Sequence, residues 1–250
     1  MSIGYHPAMI DRVCLWSGPR NVSTALMYSF AQRLDTRVVD EPLYSHYLRV
    51  SGAAHPDREA VLAAQDSNGE RVVSEVVLGR CDRPLLFFKQ MAHHLVELDW
   101  GFLKETRNVL LVRDPAEMLP SLAVNVAQPR MRDTGLAVQT RLLAHLRALG
   151  QEPAVLDARL LLENPEGVLQ RLCRWLGVPW DPAMLAWEAG PRPEDGVWAP
   201  HWYANVHRST GFVKHRPRLE PLSPAHAPLL AECRVHYDEL LHEAERFAAR

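Results

Sequence analysis

Residues 13–16, VCLW, form a short apolar run that breaks at once into the polar stretch SGPRNVSTAL (17–26). After it, Leu26, Met27, Phe30 and Leu34 recur at helical spacing. A strand, a tight turn and a helix in immediate succession constrain the fold more than any other segment. A short strand that is apolar throughout is one covered on both faces, as in a parallel sheet with helices on each side. The turn then meets the start of a helix, whose first N–H groups lack intrahelical partners and whose dipole adds partial positive charge. Such a turn is a cradle for an anion. It lacks the Gly-Lys-Ser/Thr ending of an ordinary nucleoside-triphosphate loop, which leaves the anion to be identified from the rest of the chain.

Other short apolar runs at 37–39, 85–88, 108–112 and 154–156 read as further strands, with helical patterns between them. This alternation predicts an α/β fold, a mostly parallel central sheet flanked by helices. Ser67-Asn-Gly-Glu70 reads as a capping box opening a helix with Val72, Val73, Val76 and Val77 on its apolar side. Asp114-Pro-Ala-Glu117 opens another, with proline at the favoured first position. The 250 residues are expected to form one domain. Residues 190–224 are rich in proline, glycine, tryptophan and histidine and show no period, which suggests a lid or substrate loop. A helical pattern resumes over 225–248.

Composition narrows the partners. The net charge is −2, so neither nucleic acid nor an anionic membrane is favoured. The cysteines at 14, 81, 173 and 233 never form Cys-x-x-Cys, which fits a reducing, cytoplasmic setting. MSIGYHPAMIDR is too short and polar for a secretion signal. Twelve histidines include no His-Glu-x-x-His arrangement, so no metal is expected. No Gly-x-Ser-x-Gly elbow supports a hydrolase.

Arg20, Ser23 and Thr24 put one cation and two hydroxyls where the loop meets the helix, a set suited to a phosphate or sulfate. Arg113 ends a strand at the sheet edge where open α/β folds bind ligands. Ser121 lies seven residues after the cap Asp114 and so on the same helix face. An arginine and a serine converging there suit a second phosphate.

These motifs together resemble those of sulfotransferases that use 3′-phosphoadenosine-5′-phosphosulfate (PAPS). Pro19, Arg20, Asn21, Val22, Ser23 and Thr24 resemble the family's 5′-phosphosulfate loop, with Val22 in place of its glycine. Arg113 followed by Ser121 resembles the 3′-phosphate motif, here with Pro120 inside the helix. LLLENPEGVLQRLCRWLGVPWDP (160–182) is similar to the helix after the last core strand, and Asp40-Glu41-Pro42-Leu43 to a Glu-Pro turn of bacterial and carbohydrate-type members. The resemblance covers roughly residues 11 to 182. It implies a P-loop NTPase-like three-layer fold, PAPS as co-substrate with PAP as product, and a small-molecule acceptor, with a homodimer as a further option. It also implies that Ser209, Thr210, Gly211 and Lys214 close over the nucleotide.

Sulfuryl transfer requires charge neutralisation at the bridging oxygen and the moving group, for which Arg20, Lys89 and the loop N–H groups are candidates. The acceptor requires a general base. Glu41 follows the second strand and sits 21 residues after Arg20, a spacing that Golgi-type relatives show for their base. His93 and His94, in the stretch Lys89-Gln90-Met91-Ala92-His93-His94, compete for the role. Trp198, His201, Trp202 and Tyr203 suggest an aromatic wall for acceptor or adenine. The alternatives are a nucleotide-binding module without transfer chemistry and, more distantly, a kinase-like phosphoryl transferase.

Overall fold

A computed structural model describes residues 11–126, 128–216 and 223–249. Five strands, β1 (Asp11–Ser17), β2 (Thr36–Asp40), β3 (Leu85–Met91), β4 (Arg107–Val112) and β5 (Ala154–Asp157), form one sheet in the order β2-β3-β1-β4-β5. Every pairing is parallel. Each of the five apolar runs in the sequence became one of these strands.

Helices α1 (Ser23–Ala31), α2 (Tyr44–Ser51), α3 (Arg58–Ala64) and α4 (Gly69–Val72) occupy the first half, and α5 (Pro115–Ala123), α6 (Met131–Thr134) and α7 (Leu136–Ala148) follow β4. After β5 come α8 (Ala158–Glu163), α9 (Pro165–Leu176), α10 (Ala199–Trp202) and α11 (Ala227–Ala249). Among the described residues, no helix is long and apolar enough to cross a membrane.

Strand alternation divides the core in two. Val13 and Leu15 point to the face covered by Leu26, Met27 and Phe30 of α1 and by Leu169 and Leu172 of α9. Cys14 and Trp16 point to the other, with Leu142 and Leu146 of α7 and Leu240 of α11. Phe30 stacks on Phe87 with ring centroids 4.1 Å apart. The one polar atom on Trp16, its indole N–H, donates to Asn108 Oδ1 at 2.9 Å, so the most central aromatic is buried with its donor satisfied. Burial pushes the Cys14 thiol up to about 12, as befits a cysteine used as a small hydrophobe.

Three local expectations need correction. Leu34 is exposed, because α1 ends at Ala31 and the chain turns toward β2. The helix expected after Ser67 is capped by Asn68, whose side chain accepts the Arg71 N–H. It then widens into a π-turn over Val73–Val77, closed by Leu78 N–H to Val73 O at 2.8 Å. Val72 and Val77 are buried while Val76 is rotated outward, since an i→i+5 turn displaces the α-helical register. The Asp114 cap formed as expected, its carboxylate accepting the Ala116 N–H at 2.7 Å. Pro120 is accommodated within α5.

Candidate active site

The turn between β1 and α1 lies at the C-terminal edge of the central strand. A Cβ on Gly18 would come within 2.5 Å of the Thr134 carbonyl oxygen, so glycine lets the turn pass against the α6–α7 junction. Arg20 has φ +54°, a left-handed conformation that costs a non-glycine residue and is concentrated at functional sites. Asn21 braces the turn, donating to Leu111 O and accepting the Val22 N–H, both at 2.9 Å. The amide of Val22 is therefore committed within the loop. Ser23 and Thr24 are buried and border a cleft, and neither hydroxyl has a partner among the described residues.

Arg20 Nε donates to Ser121 Oγ at 2.8 Å, and its Nη1 donates to Trp202 O at 3.2 Å. Arg113 Nη1 donates to Arg20 O at 2.7 Å, while its guanidinium pairs with Glu117 at 3.2 Å. Three separate elements thus bring Arg20, Arg113 and Ser121 together. Burial lowers the pKa of Arg20, and the neighbouring charge of Arg113 lowers it further. Two crowded guanidiniums are an arrangement that an anion would relieve.

The second half of the site follows from strand register. Asp40 lies opposite Lys89 in the β2–β3 ladder, and Glu41 N–H donates to Lys89 O at 2.8 Å. The sequence places Lys89 at the end of the 85–88 strand; β3 runs on to Met91, so the lysine is an interior strand residue and fully buried. Its ammonium bonds Asp40 Oδ1 at 3.0 Å, Glu41 Oε1, and Tyr203 Oη at 2.5 Å. Burial alone would lower the Lys89 pKa, but Asp40 and Glu41 outweigh it and hold it above the usual value. Glu41 has φ +39°. Desolvation is the main cause of its carboxyl being pushed up to about 7, with Lys89 opposing and Asp40 reinforcing the shift.

His93 and His94 follow β3 on a short 3-10 turn. Burial pushes His93 down to about 3, and nearby His55 adds to this. His94 is lowered well below the usual imidazole range for the same first reason. Each has an Nδ1 without a partner among the described residues. His94 stacks on Tyr44 and Tyr47, at 5.0 and 4.8 Å between centroids.

One cleft joins the two halves of the site, with Asp40, Arg113 and Ser121 set behind its lining. Arg20, Ser23 and Thr24 line it together with Glu41, Lys89, His93 and His94, and Trp198, Trp202 and Tyr203 wall it. The wall belongs to a strap over residues 195–208. Gly196 N–H and Tyr203 Oη both donate to Asp40 Oδ2, at 3.2 and 2.7 Å. Asp195 accepts from Tyr28 Oη at 2.7 Å and pairs with His207 at 2.9 Å. His201, expected in the wall, points away from it and pairs with Asp57 at 2.5 Å.

The segment expected to cover the nucleotide does not line the cleft. Ser209 Oγ donates to Val206 O and accepts from Trp187 Nε1, Thr210 O accepts from Trp187 N, and Gly211 bridges Ala186. Lys214 is exposed. His215 Nε2 meets Glu117 Oε1 at 2.8 Å, beside Arg113. Residues 217–222 of the expected loop lie outside the described residues.

Residues 11–240 match the family described as the sulfotransferase domain. The chain belongs to this family. Two solved sulfotransferase structures share its fold. The Sulfotransferase Domain from the Curacin Biosynthetic Pathway has a TM-score of 0.55 and 16% identity over 92% of this chain and 98% of that one. The Sulfotransferase Domain from the Synechococcus PCC 7002 Olefin Synthase has a TM-score of 0.52 and 17% identity over 98% and 96%. The all-parallel sheet and its flanking helices are therefore the P-loop-like fold of sulfotransferases. Two curated Arabidopsis thaliana proteins are more similar in sequence. Branched-chain-amino-acid aminotransferase-like protein 1 is 44% identical over 83% of this chain, and protein 2 is 37% identical over 90%. The chain spans only 38% and 40% of their lengths.

The cradle and the carboxylate–lysine pair belong to one cleft. The sequence places Tyr203 in the wall of the site, but it gives neither Asp40 nor Tyr203 as a partner of Lys89. Asp40 carried a signal in its position beside Glu41 at a strand end. The contact between Tyr203 and Lys89 carried none, because Tyr203 lies in a segment without period.

Proposed function

We propose that the protein transfers a sulfuryl group from PAPS to a hydroxyl or amine of a small-molecule acceptor. The observation that carries this reading is a single cleft with unpartnered Ser23 and Thr24 hydroxyls beside Arg20, and a buried carboxyl titrating near neutrality across from them. The first-turn N–H groups of α1 and the two hydroxyls are suited to hold the phosphosulfate. Arg113 and Ser121 are suited to the 3′-phosphate, Arg20 giving up its bond to Ser121 when that phosphate arrives. Glu41 takes the acceptor proton as the acceptor oxygen or nitrogen attacks sulfur in line and the S–O bond to the phosphate breaks. Loss of the carboxylate charge weakens its hold on Lys89, whose ammonium then turns to the departing bridging oxygen.

Titration calorimetry with PAP against AMP tests the donor assignment, and radiolabelled PAPS with a broad acceptor pool tests transfer. Preferential PAP binding and a labelled acceptor are expected. Equal affinity for PAP and AMP would sink the donor assignment, and PAP binding without transfer would leave a nucleotide-binding module.

The relatives' names raise a second reading, aminotransferase chemistry, which needs a lysine of lowered pKa for a Schiff base. Lys89 is held above its usual value between two carboxylates, and Lys104 and Lys214 are exposed. These residues do not fit that chemistry.

A further inference from the structure

An ammonium has three N–H donors, and those of Lys89 go to three side chains, Asp40, Glu41 and Tyr203. Two of these partners come from β2 and its exit. The third comes from the strap. The Tyr203 hydroxyl is itself fully used: it donates to Asp40 Oδ2 at 2.7 Å and accepts from Lys89 Nζ at 2.5 Å and from Trp198 Nε1 at 3.0 Å. Its ring lies 4.8 Å from the ammonium and is buried. No other strap side chain bonds the lysine.

We propose that Tyr203 is a positioning residue: it fixes Lys89 between Asp40 and Glu41 and keeps Glu41 able to ionise, so the base is complete only when the strap lies across the cleft. The proposal rests on Glu41 being the base. Facing Glu41 are Asp40 from β2, Lys89 from β3, Tyr44 from α2 and Tyr203 from the strap, with Arg20 and His94 elsewhere around the cleft. Of these, Asp40 opposes ionisation of Glu41, and Lys89 and Tyr203 favour it. Without the Tyr203 hydroxyl, Asp40 Oδ2 keeps only the Gly196 N–H, so its charge bears harder on Glu41, and Lys89 is left with an unpaired donor. Glu41 then holds its proton to higher pH and is a poorer base at neutrality.

Tyr203→Phe keeps the ring and removes the hydroxyl. The readout is the infrared carboxyl band of the ligand-free protein as a function of pH, assigned to Glu41 by its absence in Glu41→Gln. The wild-type midpoint is expected near 7. In Tyr203→Phe it should move up by roughly half to one pH unit, with PAP affinity unchanged and the acid limb of turnover moving in step. An unmoved or lowered midpoint overturns the proposal. Should Tyr203→Phe fail to fold, Trp198→Phe removes the N–H donated to Tyr203 together with part of the buried indole; a smaller upward shift is expected, and no shift overturns the idea equally. The infrared midpoint needs no acceptor, so a moved midpoint with no turnover supports the positioning of Glu41 while refuting the transferase reading alone.

Discussion

Glu41 and His93 border the same cleft, yet burial pushes their protonation in opposite directions. A carboxyl deprived of water holds its proton, whereas an imidazole deprived of water loses it. With Glu41 near 7 and His93 near 3, only the carboxylate is a base matched to neutral pH. Glu41→Gln should therefore lower kcat roughly 10²–10⁴-fold, retain PAP affinity, and lose least with acidic acceptors. In the wild type, kcat/KM should fall as pH drops through about 7, whereas a base titrating near 3 would leave no acid limb in that range. Kinetics of wild type, Glu41→Gln and His93→Ala over pH 5–9 check this ordering. Stability follows the same shifts with opposite signs. Glu41, raised from 4.5 to about 7, contributes stability below 4.5 that is lost as pH rises through 7. His93, lowered from 6.5 to about 3, contributes stability above 6.5 that is lost as pH falls toward 3. Glu41→Gln should remove the first slope whatever its baseline, which urea midpoints against pH would reveal.

At the scale of elements, α5 and the strap hold opposite sides of the site. Asp114 caps α5 and also pairs with Arg234 of α11 at 2.9 Å, so it fixes the helix that carries Ser121. Asp114→Ala should cost about 1–2 kcal/mol and weaken PAP binding, measured by urea unfolding and calorimetry. The strap depends on a close approach. A Cβ on Gly196 would lie 2.1 Å from the Trp198 ring, a buried indole with no room to retreat. Gly196→Ala should destabilise by roughly 1–3 kcal/mol and lower kcat by displacing Trp198 from Tyr203, leaving PAP affinity unchanged. An equal loss of PAP affinity would show that the strap also shapes the donor site.

For the whole molecule, the proposed donor binding would be linked to folding through the central strand. The cradle begins where β1 ends, and β1 has neighbours on both sides, so a ligand there bears on the best-protected part of the sheet. PAP at 100 times its Kd should add about 2.7 kcal/mol to the stability. Arg113→Ala removes a charge-assisted contact of roughly 1.5–3 kcal/mol and should weaken PAP about tenfold to a hundredfold, with little effect on AMP. Thermal shifts with each nucleotide, run at matched saturation and then at fixed concentration, measure both effects. Similar loss for PAP and AMP would remove Arg113 from the 3′-phosphate site.

The sheet was legible because a strand buried on both faces must be apolar throughout, and five short runs satisfied that condition with helices between them. The convergence of Arg20, Arg113 and Ser121 was legible for a related reason: residues just beyond parallel strands share one sheet edge, and helical spacing places a serine seven positions after a cap. Local pattern failed where a single turn departed from the usual geometry, at the π-turn that exposes Val76 and at Leu34 beyond the end of α1. The partners of Lys89 were beyond its reach. Strand pairing set Lys89 beside Asp40, and an aperiodic strap brought Tyr203 back across the cleft to bond both. Sequence determined which residues reach the edge of the sheet, since that depends on local periodicity. Tertiary structure decided which of them are buried against one another, and burial sets their protonation and so their chemistry.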